Sequence, residues 1–128
     1  MTNQNQQVQV SPQVQGQEQK IIQVLDQLKT DLERHKALLH IFDNGKYISI
    51  HIPIRNTKFL VGSYGFEIER PNLKLDYSCR FDSLTIKVDK TYYEFNGVVA
   101  TFTKSELRPG YYHIHIMKHR DNYEIVRY

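Results

Sequence analysis

The sequence predicts an α+β fold, in which an N-terminal amphipathic helix is followed by an antiparallel β-sandwich or small barrel of about eight short strands. From residue 17 to 43, apolar residues recur every three or four positions, which is the period of a helix that buries one face. From residue 46 the period becomes two, as it does in half-buried strands separated by turns. A chain of 128 residues with 40% hydrophobic residues has room for one domain with a modest core.

Residues 1–16 form a glutamine-rich segment with little apolar surface. Ordering a residue costs about 1–2 kcal/mol, which such a segment cannot offset by burial. We therefore expect a disordered tail. The alternation of Val8 and Val10 with glutamine leaves a second interpretation, in which this segment adds as a strand to a neighbouring sheet edge on assembly.

The predicted helix, residues 17–43, has an apolar stripe with the alternating four- and three-residue step of a heptad repeat. The stripe consists of Ile21, Leu25, Leu28, Leu32, His35, Leu39 and Phe42. Asn44 and Gly45 follow, and both suit the left-handed residue that ends a helix. The stripe can pack on the chain's own sheet, or it can join a second chain in a coiled coil. The second interpretation makes these residues the candidate oligomerisation residues.

The predicted β-domain covers residues 46–128, and turn residues separate nearly all of its short strands. Asn96-Gly97 is a typical type I′ turn, which predicts a hairpin that pairs Phe95 with Val98. A three-residue loop at 120–122 predicts a second hairpin at the C-terminus, in which His115 lies opposite Arg127.

This C-terminal hairpin carries the candidate partner face. Its residues are Tyr111, His113, His115, Met117, Lys118, Arg120, Tyr123 and Arg127. Aromatic rings interleaved with cations and protonatable imidazoles are typical of surfaces that bind single-stranded nucleic acid. The same apolar and aromatic side chains would serve equally as a protein interface.

His113 and His115 also have a spacing that suits metal binding. Two imidazoles at alternate strand positions lie about 7 Å apart on one face, and His51 or His119 could supply a third ligand. Over three residues the His-hydrophobic-His pattern is similar to one found in rolling-circle replication endonucleases. Those enzymes need a tyrosine nucleophile on a helix after the motif, whereas one turn and one strand are predicted after His115. A metal-dependent enzyme that uses His113 and His115 is therefore kept as the second alternative. Under the leading hypothesis we expect no catalytic residue, metal or cofactor.

Other features of the sequence limit the cellular context. No apolar run reaches the roughly 18–20 residues that span a bilayer, and the N-terminus lacks the apolar stretch of a secretory signal. Cys79 is the one cysteine, so an internal disulfide is impossible. We expect a cytoplasmic protein without a membrane partner.

The leading hypothesis is a small, non-enzymatic, oligomeric structural or interaction protein whose partner is a second copy of the chain. Its small size, N-terminal arm and lack of a catalytic motif suggest an accessory protein of a virus or another mobile element. The first alternative is a nucleic-acid-binding module that uses the exposed face of the C-terminal hairpin. The net charge of +3 is only mildly favourable to an anionic partner.

Overall fold

The computed structural model describes residues 12–128, which form one α-helix, a short 3₁₀ helix at Asp43–Gly45 and ten strands. Helix α1 covers Pro12–Glu33. The strands are β1 (Leu38–Phe42), β2 (Tyr47–Pro53), β3 (Lys58–Gly62), β4 (Gly65–Arg70), β5 (Leu73–Ser78), β6 (Ser83–Val88), β7 (Thr91–Asn96), β8 (Val98–Lys104), β9 (Tyr111–Lys118) and β10 (Glu124–Arg127). Every strand pair in this part of the chain is antiparallel. The α+β class predicted from the sequence is confirmed.

The strands form two sheets. The four-stranded sheet has the order β1-β2-β9-β8, and the six-stranded sheet has the order β10-β7-β6-β5-β4-β3. Within the described residues neither sheet closes on itself. The buried side chains of both sheets belong to one hydrophobic cluster, to which Ile50 and Ile114 contribute from one sheet and Leu84 and Phe95 from the other. The two sheets therefore share a single core.

Helix α1 adds its apolar face to this core. Ile21, Leu25, Leu28 and Leu32 are buried in the same cluster as the strands, and the helix contacts both β1 and β10. It thus packs beside an edge strand of each sheet. The hydroxyl of Tyr93 on β7 donates a hydrogen bond to the carboxylate of Asp31, which fixes the helix further.

The helix ends at Glu33, ten residues before the predicted end at 43. A turn follows, in which Lys36 has a left-handed φ of 61° and the amide of Ala37 donates to the carbonyl of Leu32 at 3.0 Å. A left-handed residue of this kind ends a helix, but here it is a lysine, which gives no such signal in the sequence. At the other end the helix begins at Pro12, inside the predicted tail. Residues 1–11, including the possible strand of Val8 and Val10, lie outside the described residues.

Two connections that the sequence predicts as hairpins instead cross between the sheets. Asn96-Gly97 joins β7 of the six-stranded sheet to β8 of the four-stranded sheet, and residues 119–123 join β9 to β10 in the same way. Gly97 has a φ of 77°, but Asn96 does not have the positive φ that a type I′ turn also requires, so the predicted turn does not form. The amide of Gly97 donates to the carbonyl of Asp82 at 2.9 Å, and its carbonyl accepts the amide of His119 at 2.8 Å. The predicted pairings of Phe95 with Val98 and of His115 with Arg127 are therefore wrong.

Candidate binding surface

The residues of the predicted oligomerisation stripe lie on two different elements, with the first four on α1 and the last two on β1. Leu25, Leu28 and Leu32 are fully buried within the chain itself, and α1 is the one α-helix of the described residues, which argues against a coiled coil. His35 lies in the turn after the helix, and Leu39 is buried in β1. Only Phe42, at the end of β1, is largely exposed, with 54% of its surface accessible.

The residues predicted for the C-terminal face also separate. Tyr111, His113, His115 and Met117 lie together on β9, with Lys118 exposed at its end. Arg120 is in the following loop, where it pairs with Asp82. Tyr123 precedes β10, and Arg127 lies on β10 in the six-stranded sheet, whereas β9 belongs to the four-stranded sheet.

Neither Tyr123 nor Arg127 can act with the histidines of β9. The Tyr123 hydroxyl donates to the carbonyl of Gly45 at 2.6 Å, and burial raises the pKa of Tyr123 above its ordinary value. Arg127 Nε donates to the Tyr93 hydroxyl at 3.2 Å. The proposed hairpin surface therefore does not exist as one unit.

A different surface does form, on the outward side of the four-stranded sheet. Strand register places alternate residues of β1, β2, β8 and β9 side by side on this surface. We name it the histidine face, and it consists of Leu38, His40, Phe42, Tyr47, Ser49, His51, Pro53, Val99, Thr101, Thr103, Tyr111, His113, His115 and Met117. The face brings the four predicted residues of β9 next to two further histidines, His40 and His51.

The rings of this face form a continuous series across the sheet. His51 stacks on His113 with centroids 4.7 Å apart and planes 8° apart, and His113 lies 5.8 Å from His115. Tyr47 stacks on His115 at 6.1 Å, while His40 meets the edge of His51 at 5.7 Å. These ring contacts run from β1 across β2 to β9.

Burial keeps part of this series uncharged at neutral pH. His51 is only 9% exposed, and its Nδ1 has no hydrogen-bond partner among the described residues. Burial, together with the nearby His113, Arg108 and His40, lowers the pKa of His51 to about 4. Burial and His115 also lower the pKa of His113, whose Nε2 lies 3.1 Å from the hydroxyl of Ser49.

Charged side chains lie beside the face rather than on it. Lys104 at the end of β8, with Glu106 and Arg108 in the loop that follows, lines a shallow cavity of about 640 Å³ together with His51 and His113. Among the described residues of the face itself there is no Lys, Arg, Asp or Glu.

The outward side of the six-stranded sheet, unlike the histidine face, carries many charged residues. Its register places many charged residues on the surface: Lys58, Glu67, Glu69, Lys74, Asp76, Lys87, Glu94 and Glu124. Such a mixture of signs is typical of a sheet face in contact with water. Two outward sheet faces of one molecule therefore differ in a way that strand propensity does not explain.

Metal binding receives no support from the side-chain geometry. Within residues 12–128, no three or more His, Cys, Asp and Glu side chains are placed so that they could hold a metal ion. Cys79 is exposed. No helix in this part of the chain is both long and apolar enough to cross a membrane.

Sequence reasoning missed the β1 and β2 half of the histidine face. The alternation of Tyr47, Ser49 and His51 was visible as the polar side of a strand, but nothing in it shows that β2 pairs with β9. The helix predicted over residues 17–43 hides the shared strand face of His40 and Phe42. A strand assignment there would have placed both on one face.

No protein-family model matches this chain, and no curated protein or solved structure is significantly similar to it.

Proposed function

We propose that this chain is a small non-enzymatic interaction protein that binds its partner on the histidine face, the outward side of a β-sandwich built from the two open sheets. One observation carries the proposal. The histidine face has no Lys, Arg, Asp or Glu, whereas the outward side of the six-stranded sheet has many of them. A surface without these side chains is suited to being covered by another molecule.

The composition of the face fits this role in detail. Protein interfaces combine a centre that is poor in charge and rich in aromatic residues and methionine with a charged rim. Tyr47, Phe42 and Met117 lie on the face, and Phe42 and Tyr47 are 54% and 43% exposed. Lys104 and Arg108 supply the rim. The packed imidazole rings leave few side chains to be ordered when a partner binds, which lowers the entropic cost of binding.

Photo-crosslinking tests this proposal. A photoreactive amino acid at Thr101, an exposed position of the face, should give a discrete protein adduct in extracts of the source cells. The matched control carries the same group at Lys74, on the outward side of the six-stranded sheet, and should not give that adduct.

Competition then establishes specificity. Unlabelled wild type should suppress the Thr101 adduct, and the unlabelled Thr103→Glu variant should need at least about tenfold more protein, because it introduces a buried charge into the contact. Identical adducts from Thr101 and Lys74, or equal competition by wild type and variant, would contradict the proposal.

Single-stranded nucleic acid is the second candidate partner. It is favoured by the ring series on an open sheet without carboxylates, flanked by the cations Lys104 and Arg108. Stacking is worth about 1–3 kcal/mol per base, and rim cations would meet phosphates. His51 adds no cation at pH 5.5, since its pKa is about 4.

Fluorescence anisotropy with mixed-sequence oligonucleotides at 50 and 200 mM salt distinguishes this candidate. Binding should weaken at the higher salt concentration, because each neutralised phosphate adds roughly 0.7 to the salt slope for single strands. Tyr47→Ala should weaken it further, while Tyr92→Ala, a similarly exposed tyrosine on the other sheet, should not. No binding at about 100 µM protein at low salt would eliminate nucleic acid as the partner.

A further inference from the structure

Strand β3 is an exposed edge of the six-stranded sheet. It pairs with β4 on one side, and no strand of the described chain pairs with its other side. All five of its residues are exposed. Phe59, Leu60 and Val61 form a continuous apolar run with 53%, 68% and 60% of their surface accessible. Natural edge strands are usually protected by charge, proline or a covering element, and an unprotected apolar edge is a site for strand addition.

Other edge strands of the molecule are better protected. β1 and β10 both contact helix α1. β8, the remaining edge, carries the exposed polar residues Thr101, Thr103 and Lys104. β3 thus differs from each of them in combining an unpaired edge with exposed apolar side chains.

The position of β3 is fixed by its neighbours. The ring of Phe59 packs against Phe102 at 5.4 Å and Tyr112 at 5.6 Å, both from the four-stranded sheet. At the turn between β3 and β4, a side chain at Gly65 would lie 1.8 Å from the carbonyl oxygen of Tyr77, so only glycine allows the close approach of β4 to β5. Phe59 therefore anchors the exposed edge strand to the four-stranded sheet.

We propose that β3 pairs antiparallel with β3 of a second copy of the chain, around a two-fold axis at Leu60. This interface is separate from the histidine face and goes beyond the proposed function. In this register Leu60 lies opposite Leu60, Phe59 opposite Val61, and Lys58 opposite Gly62 of the second copy. The six-stranded sheets of the two copies become continuous, as in a closed, isologous dimer.

Charge and shape both fit this register. The two Lys58 cations lie at opposite ends of the five-residue pair, so like charges do not meet. On the inward side, where Phe59 and Val61 lie in register with Ile68 and Phe66 of β4, each Phe59 gains a Val61 neighbour and its exposed area is covered. On the outward side the two Leu60 side chains cover each other.

Sedimentation equilibrium or light scattering of the full chain tests the dimer. The mass of wild type should rise from 15.2 kDa toward twice that value between about 10 and 500 µM, since a short strand pair is a small interface. Leu60→Lys should raise the dissociation constant at least about tenfold, because it places two lysines opposite each other. The matched control is Val126→Lys, an exposed outward valine of β10, which should dimerise like wild type.

A charge-complementation experiment identifies the register. Leu60→Glu alone should also be monomeric. An equimolar mixture of Leu60→Glu and Leu60→Lys should recover the dimer, because position 60 of one copy lies opposite position 60 of the other and the two introduced charges have opposite signs. The face variant Thr103→Glu should dimerise normally, which separates this inference from the proposed function. A wild type that stays monomeric at about 500 µM, a Leu60→Lys variant that dimerises like wild type, or a mixture that stays monomeric would each overturn the proposal.

Discussion

At the scale of single residues, His51 shows how a polar side chain can occupy an outward strand position and still be buried. Its ring is covered by His113 on one side and touched by His40 on another, and the loop after β8 lines the same cavity. Protonation would place a charge in this low-polarity environment next to Arg108. The folded protein therefore favours the neutral imidazole.

This preference predicts an acid-dependent loss of stability. A pKa of about 4 in the folded state lies below the ordinary value of about 6.5. The contribution of His51 is therefore complete well above pH 6.5 and is lost as the pH falls toward 4. The expected decrease in the free energy of unfolding between pH 6.5 and 4.5 is about 2 kcal/mol from this group. Urea unfolding at both pH values measures it.

The variant His51→Phe separates His51 from the carboxylates that titrate at lower pH. It keeps a ring in the stack but cannot become charged, so the decrease between pH 6.5 and 4.5 should be smaller by about 2 kcal/mol, and the part due to His113, whose pKa burial also lowers, should remain. His119→Phe, at an exposed position, should keep the wild-type decrease. Equal pH dependence of both variants would contradict the role given to His51.

At the scale of secondary-structure elements, α1 belongs to the core of its own chain. Its apolar stripe lies beside β1 and β10, and Leu25, Leu28 and Leu32 are fully buried there. Burial of a leucine is worth about 1.5–3 kcal/mol. If the stripe were exposed so that another chain could bind it, the folded chain would lose this burial free energy for each of the three leucines.

Leu28→Ala should therefore destabilise the folded chain rather than an oligomer. Removal of a buried leucine side chain costs about 2–5 kcal/mol, and the size of this loss should not depend on protein concentration. The control Gln27→Ala, at an exposed position of the same helix, should change stability by less than about 0.5 kcal/mol. A Leu28→Ala variant that dissociates while remaining as stable as wild type would contradict the intramolecular packing.

At the scale of the whole molecule, the chain interleaves its two sheets. The four-stranded sheet combines residues 38–53 with residues 98–118, while β3 to β7, which lie between them in sequence, form most of the other sheet. The connections at 96–98 and 118–124 cross from one sheet to the other. Neither sheet is therefore complete until segments distant in sequence have met.

This arrangement predicts a single cooperative unfolding transition. Because α1 and both sheets share one core, the helix should not melt separately. Far-UV circular dichroism reports the helix and strands, and near-UV circular dichroism reports the packing of buried tyrosines such as Tyr93. The two urea transitions should coincide. A helical signal that is lost at lower urea than the tyrosine signal would contradict a shared core.

The sequence by itself determined the elements whose period is clear. The alternating isoleucines of β2 and the turn residues around β4 to β7 predict strands close to those observed. The helix stripe from Ile21 to Leu32 is correct, and these residues are buried. Its continuation through Leu39 to Phe42 was a coincidence of spacing, because the segment Leu-Leu-His-Ile-Phe is apolar on both strand faces and fits either period.

Only the tertiary structure decided which strands meet. Turn residues indicate where the chain bends, and Gly97 has a positive φ. They do not decide whether the next strand pairs with the previous one or crosses to the other sheet. Burial of the alternating faces in a shared core decides that. The observed strand pairing separates Arg127 from His115 and places His51 beside His113. The histidine face is therefore built from strands that are distant in sequence.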